Sequence, residues 1–338
     1  MPPTTRPTKV RFAPSPTGSL HIGNALGAVA NRNAGGTMLL RIDDTDPARN
    51  LPGGEQAILD DLHWLGIDWD EGPVRQSDRL ERYREAAAEL PERFQGVTLL
   101  REDGTATYHL ASVVDDIDFA ITHVIRGNDH RPNEALHRAL TVALGAELPE
   151  YIHYGLVLGP DGKKLSKRAE GASIASLREA GIPPEAVRAY LEELGVPRHD
   201  VRLDLARIRS LAVDALAGMP AEELARRVGA PLSVVPALRG ARDLNDARDM
   251  ARTIVEPPAV SLADEAETLT RFSELRGGAP DELDQDSARA IVRELKAVGG
   301  HLRAVRQALT GRESGPELWA VLAALPRDET LRRIDAAL

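Results

Sequence analysis

Residues 11–24 read RFAPSPTGSLHIGN, and the way this stretch changes period decides the fold. Residues 9–16 (KVRFAPSP) have the pattern of a strand running into a proline-rich turn, and residues 21–34 (HIGNALGAVANRNA) that of the helix following it. Gly18 and Gly23 bracket the strand-to-helix turn. His21 stands at the helix N-terminus, where free amides and the macrodipole favour an anion. A residue as small as Gly23 lets a flat base or ribose approach the backbone, and His21 can donate to a phosphate oxygen as charge builds there. On spacing alone, a histidine at a helix start is more often structural.

Outward from this turn the chain keeps alternating. Thr37–Asp43 (TMLLRID) reads as a second strand buried on both faces. An amphipathic helix is expected at about 53–65, a loop over GIDWDEGP, and a helix at about 78–94. Between about 97 and 126 lie a short hairpin, an apolar segment around YHLASVVDD and the strand AITHVIRG. A helix at 131–145 and a strand at 151–158 follow, and from about 173 onward the pattern is helical. Strand-helix alternation predicts a parallel α/β sheet followed by an all-α region.

Composition narrows the function classes. The chain of 338 residues has 42% hydrophobic and 28% charged residues, a balance ordinary for a globular protein. No stretch approaches the roughly 20 apolar residues that span a bilayer, and MPPTTRPTKV lacks an apolar signal core, so a cytoplasmic protein without membrane partners is expected. There is no cysteine, which removes thiolate nucleophiles and cysteine-based zinc sites together. The nine histidines fall at no His-x-x-x-His spacing, and no metal site is predicted. A net charge of −10 offers no broad electrostatic footprint for nucleic acid.

Positive charge is written almost wholly as arginine, with 37 arginines against five lysines. Three of the five sit in one run, GPDGKKLSKR, as Lys163, Lys164 and Lys167. A compact, rotatable ammonium differs chemically from a planar guanidinium and suits a phosphate that moves during reaction. A solvated basic loop is the ordinary reading of such a run, but lysine scarcity elsewhere argues for a role here.

In order, HIGN at 21–24 and KKLSKR at 163–168 resemble the paired signatures, usually called HIGH and KMSKS, of class I aminoacyl-tRNA synthetases. RFAPSPTGSLHIGN, LLRIDDTDPAR, DLHWLGIDWDEGP, RQSDRLERY, TYHLASVVDD, ITHVIRGNDH and KLSKR are similar to blocks of the glutamyl-tRNA synthetase family in the same order. The tail LRAVRQALTGRESGPELWAVLAAL resembles the end of that family's helical anticodon-binding region.

The resemblance implies a Rossmann nucleotide-binding domain over 1–160, with the acceptor-binding insertion deleted around 77–102. A helical domain that carries the KMSKS loop and resembles the stem-contact domain would follow at 161–240, and a truncated anticodon-binding-like domain at 241–338. It also implies a two-step chemistry with ATP and Mg²⁺ and without zinc. His21, Lys164 and Lys167 would be catalytic. Gly18, His21, Gly23, Asn24, Lys164, Leu165, Ser166 and Lys167 would hold the nucleotide. Arg11, Ala13, Ser15, Asp43, Tyr108, Ser112 and Arg126 would line the amino-acid pocket, with Arg11 the candidate for a side-chain carboxylate because its fork matches one bidentately.

Three departures bear on function. Asp43 stands in RIDDTD where the family has Glu for the substrate's α-ammonium, a retreat of one methylene, about 1.5 Å. Ser112 stands where the family commonly has Asn. Only 26 residues separate Gln76 from Asp103, where family members carry a domain that grips the tRNA acceptor end. Residues 241–338 hold 14 Lys and Arg against 18 Asp and Glu, a local charge of 14 − 18 = −4 that is poor for gripping a polyanion. The leading expectation is a ligase that adenylates glutamate or a close acidic analogue and passes it to a small molecule or carrier protein. A minimal glutamyl-tRNA or glutamyl-queuosine tRNA(Asp) synthetase and a nonenzymatic regulator remain as alternatives.

Overall fold

The computed structural model describes residues 6–163, 165 and 169–338. The chain divides into two compact units, Met1–Glu179 with Val187–Arg207 and Ala180–Ala186 with Ile208–Leu338. The first begins with β1 (Lys9–Phe12), α1 (Ile22–Asn33), β2 (Thr37–Ile42), α2 (Gly54–Trp64) and β3 (Glu71–Arg75). A 3₁₀ turn at Gln76–Arg79 leads into α3 (Leu80–Ala88), the hairpin β4 (Arg93–Phe94) and β5 (Val97–Thr98), α4 (Tyr108–Asp118) and β6 (His123–Gly127). Then come α5 (Glu134–Ala143), β7 (Glu150–Tyr154), β8 (Val157–Leu158), α6 (Ile174–Glu179), α7 (Pro184–Leu194) and β9 (Val201–Arg202).

β1 pairs parallel with β2, β2 with β3, and β6 with β7. Thr122 joins the two groups: the Lys9 amide donates to its Oγ1 at 2.8 Å, and its own amide donates to the Lys9 carbonyl at 2.9 Å. β1 therefore lies beside β6, with helices supplied by the crossovers that parallel strands require. Burial follows: Val10, Met38, Leu39, Leu40 and Ile42 are all at most 1% exposed, the near-continuous apolar pattern of a sheet covered on both faces. Gly27 allows α1 to approach β7, since a Cβ there would lie 2.3 Å from the Tyr154 hydroxyl.

Three expectations change. Residues 71–73, the end of the expected loop GIDWDEGP, instead open edge strand β3 (Glu71–Arg75), whose Pro73 is tolerated because an edge strand need not donate on its outer side. The helix expected to reach about 94 stops at Ala88, before Pro91, and the hairpin starts at Arg93. The strand expected over 151–158 is two strands. β7 ends at Tyr154, and after the Gly155 amide turns to the Pro197 carbonyl at 2.7 Å, β8 pairs with β9 instead of β6.

The shortened interval between Gln76 and Asp103 is closed by local structure. Tyr83, Ala86, Leu99, Ala106, Leu110, Val113, Val114 and Leu140 form one buried cluster under the hairpin. Arg101 fastens its exit, donating to the carbonyls of Ala106 at 2.6 Å and Thr45 at 3.1 Å.

The second unit is helical. Its helices are α8 (Leu205–Gly218, which starts in the first unit), α9 (Ala221–Val228), α10 (Val235–Leu238), α11 (Leu244–Val255), α12 (Ala266–Gly277), α13 (Gln285–Ala297), α14 (Leu302–Thr310), α15 (Leu318–Ala324) and α16 (Arg327–Ala337). Asp243 and Asp284 cap α11 and α13 by accepting from the amides of Asp246 and Ser287. Phe272, Leu269, Ile254, Val305 and Val321 anchor one continuous core. Among the described residues no helix is long and apolar enough to cross a membrane.

Candidate active site

The turn between β1 and α1 is pinned from two sides. Asp61 on α2, 2% exposed, accepts from the Ser19 hydroxyl at 2.6 Å and the Leu20 amide at 2.7 Å. Burial raises the Asp61 carboxyl, a rise that these bonds and Arg178 offset only in part. Gly18 has φ +96°, a left-handed conformation that glycine adopts without steric cost. His21 caps α1, its Nδ1 accepting from the Gly23 amide at 3.2 Å. Among the described residues, a Cβ at Gly23 would meet only that same imidazole, at 3.5 Å. Asn24 follows on the exposed side of the first helical turn.

The stretch after the lysine run returns to this turn. The Ile22 amide donates to the Ala172 carbonyl and the Ile174 amide to the Leu20 carbonyl, both at 2.9 Å, making an antiparallel bridge between His21 and Ser173. Leu165 is 6% exposed, and Gly159–Lys163 forms a turn in which the Gly159 amide donates to the Lys163 carbonyl at 2.8 Å. The expectations on Lys164, Ser166 and Lys167 lie outside the described residues.

Next to this turn the ends of β1, β2 and β6 carry three arginines. Arg11 is 6% exposed and its Nε donates to Asp116 at 3.2 Å. Arg41, 1% exposed, donates from Nε to Asp43 at 2.6 Å, from Nη2 to Asp43 at 3.2 Å and from Nη1 to Asp116 at 3.0 Å. Asp115, fully buried, accepts from Gln76, Arg79 and the Tyr83 hydroxyl, each at 2.8 Å. Burial alone would lower the Arg41 guanidinium, but Asp43, Asp116 and Asp115 outweigh it and hold it well above its usual value. Burial pushes the Asp43 carboxyl up against the pull of Arg41. These directions oppose each other across one bridge, and two N–H···O bonds to one carboxylate are the geometry of an ionised pair.

Arg126 differs. It is 6% exposed, its Nε donates to His153 Nε2 at 3.2 Å and its Nη1 to His137 Nδ1 at 3.3 Å. Its guanidinium stacks on the Tyr151 ring at 5.0 Å. Nη2 is buried with no hydrogen-bond partner, and among the described residues Arg126 makes no ion pair. Burial lowers its pKa, partly countered by Tyr108 and, more weakly, by Tyr151 and Asp116, the direction of a desolvated charge without a direct ion-pair partner.

The other residues expected to line an amino-acid pocket lie on α4 and the turn after β1. The Tyr108 hydroxyl is 3.1 Å from His130 Nδ1. Ser112, one turn along α4 on the same face, is 1% exposed and its hydroxyl has no partner. The Asp43 amide donates to the Pro14 carbonyl at 3.0 Å, setting Ala13 and Ser15 beside it. Asp115, Asp116, Arg41, His137 and His153 were not among the sequence candidates. Two signals existed for the first three: adjacent acids in the otherwise apolar run ASVVDD and an arginine inside the apolar strand TMLLRI. For the two histidines no local signal exists. Among the described residues no three His, Cys, Asp or Glu side chains group to hold a metal ion.

Residues 7–94 and 91–211 match the catalytic domain of class I tRNA synthetases (E and Q). The two matched pieces meet at the hairpin. Residues 240–338 match an anticodon-binding domain. A glutamate–tRNA ligase of Rubrobacter xylanophilus is 34% identical, over 97% of each chain. One of Rhodospirillum centenum is 31% identical over 97% of this chain and 98% of its own. The fold is that of a glutamate tRNA ligase from Elizabethkingia meningosepticum solved with its amino acid, with TM-score 0.79 and 22% identity over 98% of this chain and 99% of that one. With these matches along nearly its whole length, and a helix-capping turn at His21 beside three buried arginines, the chain belongs to the class I tRNA synthetases of the glutamate and glutamine group.

Proposed function

We propose that the chain activates glutamate, or a closely related acidic amino acid, as its adenylate and transfers the acyl group to an acceptor other than tRNA, a small molecule or a carrier protein. The observation that carries the amino-acid side of this reading is Arg126, a buried guanidinium whose Nη2 has no hydrogen-bond partner among the described residues. Its neighbours Arg11 and Arg41 already share carboxylates, so Arg126 is the charge in the pocket that an anionic ligand would complete.

In the first step a carboxylate oxygen of the amino acid attacks the α-phosphorus of ATP. The bond from that phosphorus to the bridging oxygen breaks, and pyrophosphate leaves with the electron pair. His21 and the α1 N-terminus would face the phosphates, and Lys164 and Lys167 would neutralise charge on the transferring and departing groups, catalysis by preorganised electrostatics. Mg²⁺ would arrive on the nucleotide's own phosphates, as is usual for this ion. In the second step an acceptor hydroxyl, amine or thiol attacks the acyl carbon, AMP leaves, and the nucleophile's proton passes to solvent.

The acceptor side rests on the hairpin. Four paired residues over a local core stand where the family resemblance implies a domain that grips the acceptor end. A second reading, transfer to tRNA by a minimal synthetase, is favoured by the match of residues 240–338 to an anticodon-binding domain. Amino-acid-dependent exchange of labelled pyrophosphate into ATP, with and without bulk tRNA, separates the two. Exchange with glutamate alone is expected, and Lys167→Ala should lower it by roughly 10²- to 10³-fold. Exchange seen only with tRNA favours the second reading, and exchange unchanged in Lys167→Ala overturns that lysine's role.

A further inference from the structure

Among the described residues every side-chain hydrogen bond of Arg126 goes to an imidazole, and the pattern fixes the protons. A guanidinium only donates, so His137 Nδ1 must accept from Arg126 Nη1, which places the His137 proton on Nε2. That nitrogen lies 3.1 Å from His109 Nδ1, which must then accept and carry its own proton on Nε2. On the other prong, His153 Nε2 accepts from Arg126 Nε, so its proton sits on Nδ1, which faces Glu134 Oε2 at 3.5 Å. Glu134 also takes Arg138 Nε at 2.7 Å. Burial, followed by Arg126 itself, keeps these rings neutral: His137 is pushed down to about 2, and His109 and His153 are also lowered.

The alternative way to hold a buried guanidinium is visible at Arg41, which is gripped by carboxylates. Carboxylates orient an arginine but consume its charge. Neutral nitrogen acceptors orient it and leave the charge available. Two of the three guanidinium nitrogens of Arg126 are fixed in this way, on opposite sides of the fork, and the third is left over.

We propose that His137 and His153 are positioning residues that hold the Arg126 fork as neutral acceptors, keeping Nη2 and the full positive charge for a carboxylate of the amino-acid substrate. The inference rests on the reading of the Arg126 pocket as the amino-acid site. It predicts that acceptor capacity, more than ring shape, is what position 137 must supply.

The test is calorimetric titration of the full chain with L-glutamate, and separately with the unreactive α,β-methylene analogue of ATP. His137→Phe keeps a ring of similar size but no acceptor and should weaken glutamate binding by roughly 10- to 100-fold, the span of a hydrogen bond to a charged group. His137→Gln, whose amide oxygen can accept, should stay within about threefold of the wild type by the same measure. The nucleotide analogue should bind all variants equally. Should His137→Phe fail to fold, His153→Phe tests the same claim at the other prong. If Arg126→Ala loses glutamate binding while His137→Phe and His153→Phe bind like the wild type, the positioning role is overturned and the pocket stands. If Arg126→Ala binds glutamate as well as the wild type does, or the wild type binds none, the pocket reading itself falls.

Discussion

Arg41 and Arg126 show how far environment divides one side chain into two bonding states. Both are buried, but Arg41 is locked between Asp43 and Asp116 while Arg126 bonds only imidazoles. The first is part of the scaffold. Its neighbour Asp115 ties the 3₁₀ turn, α3 and α4 together through Gln76, Arg79 and Tyr83. Asp115→Ala would leave three donors without their acceptor in a site closed to water. Breaking one side of such a buried pair costs about 3–5 kcal/mol, so the midpoint of urea unfolding should fall sharply. A wild-type midpoint would show that Asp43 and Asp116 take over the freed donors. Arg126→Lys tests the other state. A lysine keeps the charge but not the fork, and amino-acid KM in pyrophosphate exchange should rise about tenfold or more, as for loss of a hydrogen bond to a charged group, with ATP KM unchanged.

At the level of elements, α16 shows the same division on the helical side. Arg333, 6% exposed, reaches through the core to the carbonyls of Ile254 at 2.7 Å and Leu309 at 2.8 Å, and its Nε donates to Glu329 at 2.6 Å. Glu329 also takes Arg332 at 2.7 Å. Arg332 first, and Arg333 after it, lower the Glu329 carboxyl to about 2. A carboxyl lowered on folding adds stability above its unfolded pKa, about 4.3, and loses it as pH falls through the folded value. Thermal unfolding of Glu329→Gln should therefore differ most from the wild type above about pH 5, and the difference should close toward pH 2. A gap that stays constant with pH would mean that the bridge contributes nothing through its charge.

For the whole molecule, charge bears on the acceptor. The second unit's arginines are largely spent within it: Arg227 on Glu185 and Glu223, Arg242 on Asp246, Arg252 and Arg312 on Asp249, and Arg332 on Glu329. Others bond backbone carbonyls, Arg239 that of Leu216 near the end of α8 and Arg276 those of Pro280 and Asp281 in the loop after α12. Neutralised arginines release few counterions from a polyanion, and counterion release drives most nucleic-acid binding. With a chain charge of −10, binding of bulk tRNA at physiological salt should be no tighter than the roughly 10⁻⁴ to 10⁻⁶ M of non-specific complexes. A filter-binding constant well below a micromolar would favour tRNA as the acceptor.

The alternation of strands and helices, the His21 turn and the lysine run were legible because each is a local pattern of spacing or composition, read within a window of some fifteen residues. The strands at Lys9–Phe12 and Thr37–Ile42 and the helix at Ile22–Asn33 came out within a few residues of their expected ends. Arg11 and Arg126 were singled out through the family's blocks, and the structure shows both buried. The bonding state of each was not legible. That Arg11 and Arg41 share Asp116 and that Arg126 is held by His153 depend on contacts between elements 105, 75 and 27 positions apart in the chain. Thr122 meets Lys9 across 113 positions and Asp116 meets Arg11 across 105. Local spacing carries periodicity and turn chemistry, which are properties of a few neighbouring dihedrals. Whether a buried charge is neutralised or left available is a sum over every group the fold brings within a few ångströms, and only the folded chain assembles that sum.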